Sequence, residues 1–97
     1  MHNSFILDLL LFGFVAEEIK NNTIDRLRKN IDALDKNNSG EVDVTLTRSE
    51  VTIFFVKVKG KWGAMADNGD WSPLENIDLK TLTEMEDITD ALVEKEI

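Results

Sequence analysis

Cysteine is absent from these 97 residues, so neither a disulfide nor a thiolate metal site can supplement the core. Histidine occurs once, as His2, which excludes a histidine-centred catalytic triad and a multi-histidine metal centre. There is one proline, Pro73, and no long Pro, Gly, Ser or Gln tract that would mark a disordered tail. No glycine-rich phosphate-binding loop occurs. Long hydrophobic runs are also missing. The longest, Phe5 to Ala16, is interrupted by Asp8, is too short to span a bilayer, and has no Lys or Arg before it. Phe14 is too large for the position two before a cleavage at Ala16. The run therefore reads as an uncleaved, buried helix, and the expected location is cytoplasmic, away from membranes. A chain of this length buries only about two-thirds of the surface its unfolded state exposes, so one domain over residues 1–97 with a modest core is expected.

Charge is abundant but unevenly placed. Residues 1–66 hold nine Asp and Glu against nine Lys and Arg, whereas residues 67–97 hold ten acids against Lys80 and Lys95, which accounts for the net charge of −8. A one-sign field on one element attracts basic partners and repels nucleic acid and anionic membrane.

Periodicity divides the chain. Ser4 can cap a first helix to about Asn21 that is apolar on nearly every side, and such a helix must be covered all round. Asn21-Asn22-Thr23 reads as a break. A second helix follows, with Ile24, Leu27, Ile31 and Leu34 on one stripe, ending at Asn38-Ser39-Gly40. The period then becomes two: Val42, Val44 and Leu46 alternate with polar residues in a first strand. Val51 to Lys59 reads as a second strand whose centre, Ile53-Phe54-Phe55-Val56, is apolar on both faces, so a central strand covered on both sides is expected. Trp62 to Ala66 is a third strand. Asn68-Gly69 predicts a two-residue hairpin with positive φ at both positions, leading to a short edge strand at Trp71. A brief turn at Ser72 to Glu75 precedes a last helix starting near Asp78 or Thr81, with Leu82, Met85, Ile88, Leu92 and Val93 on one face and Asp87, Asp90 and Glu94, flanked by Glu86, opposite. The fold class is α+β: two N-terminal helices, a three- or four-stranded antiparallel meander, and one acidic amphipathic C-terminal helix.

Two local patterns resemble known families. Asp35, Asn37, Ser39 and Asp43, with Gly40 at the bend and Val42 as the eighth residue, resemble the calcium loop of the EF-hand family, whose twelfth position requires a bidentate Glu. Leu46 stands there, so no calcium or other cofactor is expected. Gly60-Lys61-Trp62-Gly63 with Asn68-Gly69 and Pro73 resembles one copy of the Trp-Gly repeats of β-hairpin arrays, which implies a hairpin and nothing about activity. In size and charge the chain is similar to inhibitors that occupy nucleic-acid-binding channels, to immunity proteins that block nuclease toxins, and to phage-borne anti-restriction and anti-CRISPR proteins.

These readings predict a non-enzymatic interaction protein that binds a basic protein surface through Asp87, Asp90, Glu94 and Glu86, with Trp71 as an anchor, and binds no nucleic acid. The alternative is a structural or assembly protein forming a homodimer through the apolar N-terminal helix at Leu7, Leu11, Phe14 and Val15.

Overall fold

Burying Ile24, Leu27 and Ile31 removes one apolar stripe of the N-terminal region from water, and that burial decides how the chain runs there. The computed structural model describes the backbone of residues 2–95 and the side chains of residues 15–95. Helix α1 spans His2–Leu34 without interruption, so the two predicted N-terminal helices are one. Three residues of low helix propensity at Asn21-Asn22-Thr23 cost about 2 kcal/mol together, whereas each buried Leu or Ile contributes roughly 1.5–3 kcal/mol. Asn21 and Asn22 face solvent, and buried Thr23 donates its hydroxyl to the Ile19 carbonyl at 2.9 Å, satisfying itself within the helix. At about 1.5 Å per residue, the helix runs most of the 56 Å long axis of the molecule.

Four antiparallel strands follow in the order β1 (Glu41–Leu46), β2 (Val51–Val58), β3 (Lys61–Met65) and β4 (Trp71–Pro73). A 3₁₀ turn at Leu74–Asn76 leads to α2, Leu79–Lys95. The molecule is therefore α+β, with a four-stranded meander and two helices.

Register assigns the two faces of the sheet. Val42 pairs with Phe55 and Phe55 with Ala64, while Val44 pairs with Ile53. This face carries the buried side chains Val42, Val44, Leu46, Phe55 and Trp62. Against it pack Ile24, Leu27 and Ile31 of α1, Leu74 of the 3₁₀ turn, and Leu82 and Met85 of α2. Both helices lie on this one side. The expectation that β2 is covered on both faces is corrected: β2 is interior in strand order, but Phe54 is 37 % exposed and Val58 36 %. Both helices pack against each other and against the inner face, so among the described residues none is left to cover the outer one.

Turn chemistry differs in one hairpin. Only Gly69 of the Asn68-Gly69 pair has positive φ, at 90°. The Gly69 amide donates to the Ala66 carbonyl and the Ala66 amide to the Asp70 carbonyl, closing a three-residue loop instead of the expected two-residue one. The two-residue turn is at Lys59-Gly60, with φ of 51° and 80°, joining β2 to β3.

Gly63 is fixed by contact. A Cβ there would overlap the Ser72 carbonyl and the Trp71 indole, which crosses β3 and donates its Nε1 proton to the Val56 carbonyl at 2.9 Å. Gly63→Ala must displace the edge strand or the ring, so a loss of about 1–3 kcal/mol is expected, read as a lower urea midpoint. An unchanged midpoint would show that β4 is not held at this contact.

Candidate functional site

Asp78 sets the rotation and start of the acidic helix. Its carboxylate accepts the Thr81 amide at 3.0 Å and the Thr81 hydroxyl at 2.8 Å, and its own carbonyl accepts the Leu82 amide. From that start Leu82, Met85 and Thr89 fall on the buried face, with Ile88 and Leu92 partly buried beside them. Thr89 is fully buried and its hydroxyl donates to the Met85 and Glu86 carbonyls.

The four expected binding acids of this helix divide into two kinds. Glu86 is ion-paired with Arg26 of α1, and its side chain is only 13 % exposed. Asp90 accepts from the Asn30 amide at 2.6 Å, and the same nitrogen donates to Thr89 at 3.0 Å. Asp87, Asp90 and Glu94 are all exposed, Asp90 while bonded to Asn30. The pairs Arg26–Glu86 and Asn30–Asp90 share an offset of 60 residues, so the two helix segments run parallel and in register. The sequence held a signal for this: Arg26 and Asn30 are four apart, as are Glu86 and Asp90, so each pair occupies one helix face. Arg28 makes a further ion pair with Glu75, and Lys20 donates to the Glu75 carbonyl at 2.8 Å. Asp87 lines a shallow groove of about 480 Å³ with Arg48, Ser49, Lys80, Thr83 and Glu84. The buried Glu84 Oε1 has no hydrogen-bond partner among the described residues.

The loop after α1 uses its acid locally. The Asp35 carboxylate accepts the Ser39 amide and hydroxyl and the Gly40 amide, each at 2.9 Å. Asp43 pairs with Phe54 in the β1–β2 ladder and faces away from the core. The Asp35 oxygens are thus taken up by the loop's own amides and the Ser39 hydroxyl. Among the described residues, no three His, Asp or Glu side chains group as metal ligands.

Trp62 is buried, donates to Asp32 of α1 at 2.6 Å and lies under the Lys57 ammonium, 5.6 Å from the ring centroid. Trp71, the expected anchor, is half-buried on the opposite face of the sheet beside Phe54, Val56 and Met65. Comparison with protein-family models, with curated proteins and with solved structures finds no match. The chemistry of the site therefore rests on this geometry alone. Of the expected self-association residues, Leu7, Leu11 and Phe14 lie outside the described side chains. Val15, together with Ile19 one turn on, is 48 % exposed. Among the described residues no helix is long and apolar enough to cross a membrane.

Two carboxylates give the fold a shared acid dependence. The Gly40 amide, with the Ser39 hydroxyl and amide, holds Asp35 below its ordinary range, and the Thr81 hydroxyl and amide do the same for Asp78. Because both folded values are depressed, the stabilisation is present above an ordinary Asp pKa of about 4 and is lost as pH falls through the lower folded values. Thermal melts of the parent are expected to fall steeply below that point. Melts of the Asp35→Asn, Asp78→Asn double variant should start lower at neutral pH and fall less in acid. Parallel curves for the two proteins would assign the acid dependence elsewhere.

Proposed function

We propose that this chain is a small, non-enzymatic interaction protein that binds a basic protein surface through carboxylates of its C-terminal third, as an inhibitor or immunity protein does. The observation that supports this is the split among the acids of α2. Glu86 and Asp90 are used to fix the helix against α1, and this holds Asp87 and Glu94 on its solvent side. Carboxylates presented from a braced helix lose less freedom on meeting Lys and Arg than carboxylates on a mobile tail. Ten acids in residues 67–97 supply the wider field. Such a field accelerates encounter with a basic partner and is screened over about 8 Å at physiological salt. The basic residues of α1 are largely occupied, Arg26 by Glu86 and Arg28 by Glu75 and Asp25, which leaves little for binding nucleic acid.

The test separates bracing from binding. After cross-linking and mass spectrometry identify the partner in cells that produce the chain, association rates are measured across a salt series. Asp87→Asn with Glu94→Gln is expected to slow association several-fold and flatten its salt dependence while leaving the melting temperature unchanged. Asp90→Ala, which removes an acceptor from Asn30, is expected to lower the melting temperature instead. Rates and salt slopes indistinguishable from the parent in the exposed double variant would overturn the reading.

A further inference from the structure

The solvent side of the sheet is composed like an inner one. Across its rows stand Val58 with Lys61, then Glu41, Val56, Gly63 and Pro73, then Asp43, Phe54, Met65 and Trp71, then Thr45 with Thr52. An antiparallel sheet with one wet face ordinarily places polar residues there. Here the middle is apolar from β2 to β4, Phe54 and Val58 are more than a third exposed, and the buried core lies wholly on the other side. We infer that this face is the contact surface for a second copy of the chain, joined sheet to sheet in a two-fold dimer.

Charge selects a like partner over a basic one. Ten acids lie in residues 67–97, and half of them, Glu84, Glu86, Asp87, Asp90 and Glu94, are on α2 in the helix layer across the sheet. The outer face itself carries Glu41 and Asp43 at the β1 edge and Lys61 on β3, with opposite signs on opposite sides of β2. A two-fold axis along β2 lays β1 of one copy over β3 of the other and preserves position along the strands. Lys61 then approaches Glu41 of the second copy, and the reciprocal pair forms by symmetry. An axis across the strands would lay Glu41 over Asp43 of the second copy, opposing like charges. Facing sheets pack about 10 Å apart. The α2 acids, a further layer away on each side, then lie well beyond the screening length of about 8 Å and oppose the contact little. Phe54, Val56 and Val58 of the two copies meet along the axis and Trp71 closes the flank, an arrangement of apolar centre and charged rim typical of an interface.

Sedimentation equilibrium of the full chain over a concentration series tests this. A reversible dimer is expected, and Phe54→Lys is expected to weaken it by about tenfold or more, since the substitution removes a central apolar contact and opposes two charges. Because that variant changes the sheet, two surface variants accompany it. Glu41→Lys alone and Lys61→Glu alone are each expected to weaken association several-fold with unchanged circular dichroism, and mixing the two restores it, because their heterodimer regains both opposite-sign pairs. Ile19→Asp on α1 is expected to leave the dimer unchanged. A parent that is monomeric at every concentration overturns the inference. So does a dimer that is lost in Ile19→Asp but insensitive to the sheet variants, or a mixture that fails to restore association.

Discussion

The docking of the second half of α1 against α2 is the constraint on which the remaining structure depends. Leu27 and Ile31 of α1 and Leu82 of α2 are each fully buried, and the same cluster includes Val44 and Phe55 of the sheet. At roughly 1.5–3 kcal/mol per fully buried side chain, these few residues account for a large share of what a domain of this size can gain. Removing α2 would uncover both α1 and the inner face of β1 and β2. Polar contacts along the seam add direction to this non-directional burial. Thr89 at the centre satisfies its hydroxyl within α2, and Asn30 reaches across to it and to Asp90. Glu86, Asp90 and Glu94 recur every four residues, so a one-turn slip of α2 would still offer carboxylates to Arg26 and Asn30, and register is set by the Asn30–Thr89 bond together with the burial of Leu82 and Met85.

The same seam explains why the acidic helix is not uniformly a binding surface. A helical wheel places Asp87, Asp90 and Glu94 opposite the core stripe, but a helix packed on two neighbours buries a wider arc than a helix lying on a flat sheet. The boundary of that arc falls at Glu86 and Asp90, which face α1. Glu86 is neutralised there by Arg26, whereas Asp90 meets only the uncharged Asn30 amide and stays exposed, so the residual field of the helix comes from Asp90 together with Asp87 and Glu94.

Much of the fold was legible where period and capping agreed. The alternation of Val42, Val44 and Leu46, the stripe Ile24, Leu27, Ile31 and Leu34, and the Asp78–Thr81 start of the last helix all appear where the pattern put them. Local signals failed where tertiary energy outweighed them. Asn21-Asn22-Thr23 resembles a break because its residues prefer caps, yet that preference amounts to roughly 2 kcal/mol over the three residues, less than the burial of Ile24, Leu27 and Ile31 that follows. At Asn68-Gly69 the dipeptide marked the hairpin but could not set its length, which depends on the bond from Gly69 to Ala66 and the bulge that follows. Of the candidate binding acids, the sequence alone could not divide Glu86 and Asp90 from Asp87 and Glu94, because that division depends on which face α1 occupies.

The doubly apolar β2 is where sequence and structure disagree most usefully. Ile53-Phe54-Phe55-Val56 has the composition of a strand in a two-sided sheet, and within the described chain only its inner side is packed. Part of the mismatch is absorbed internally. Trp71 lies across Gly63 and donates to the Val56 carbonyl, so one aromatic ring shields a stretch of backbone and shortens the exposed apolar path. A single ring cannot cover the face, because β4 holds only three residues and Pro73 ends its pairing. Phe54, one strand further in, lies beyond that cover. The short edge strand thus sets the limit on self-shielding, and the apolar surface that remains is centred on β2.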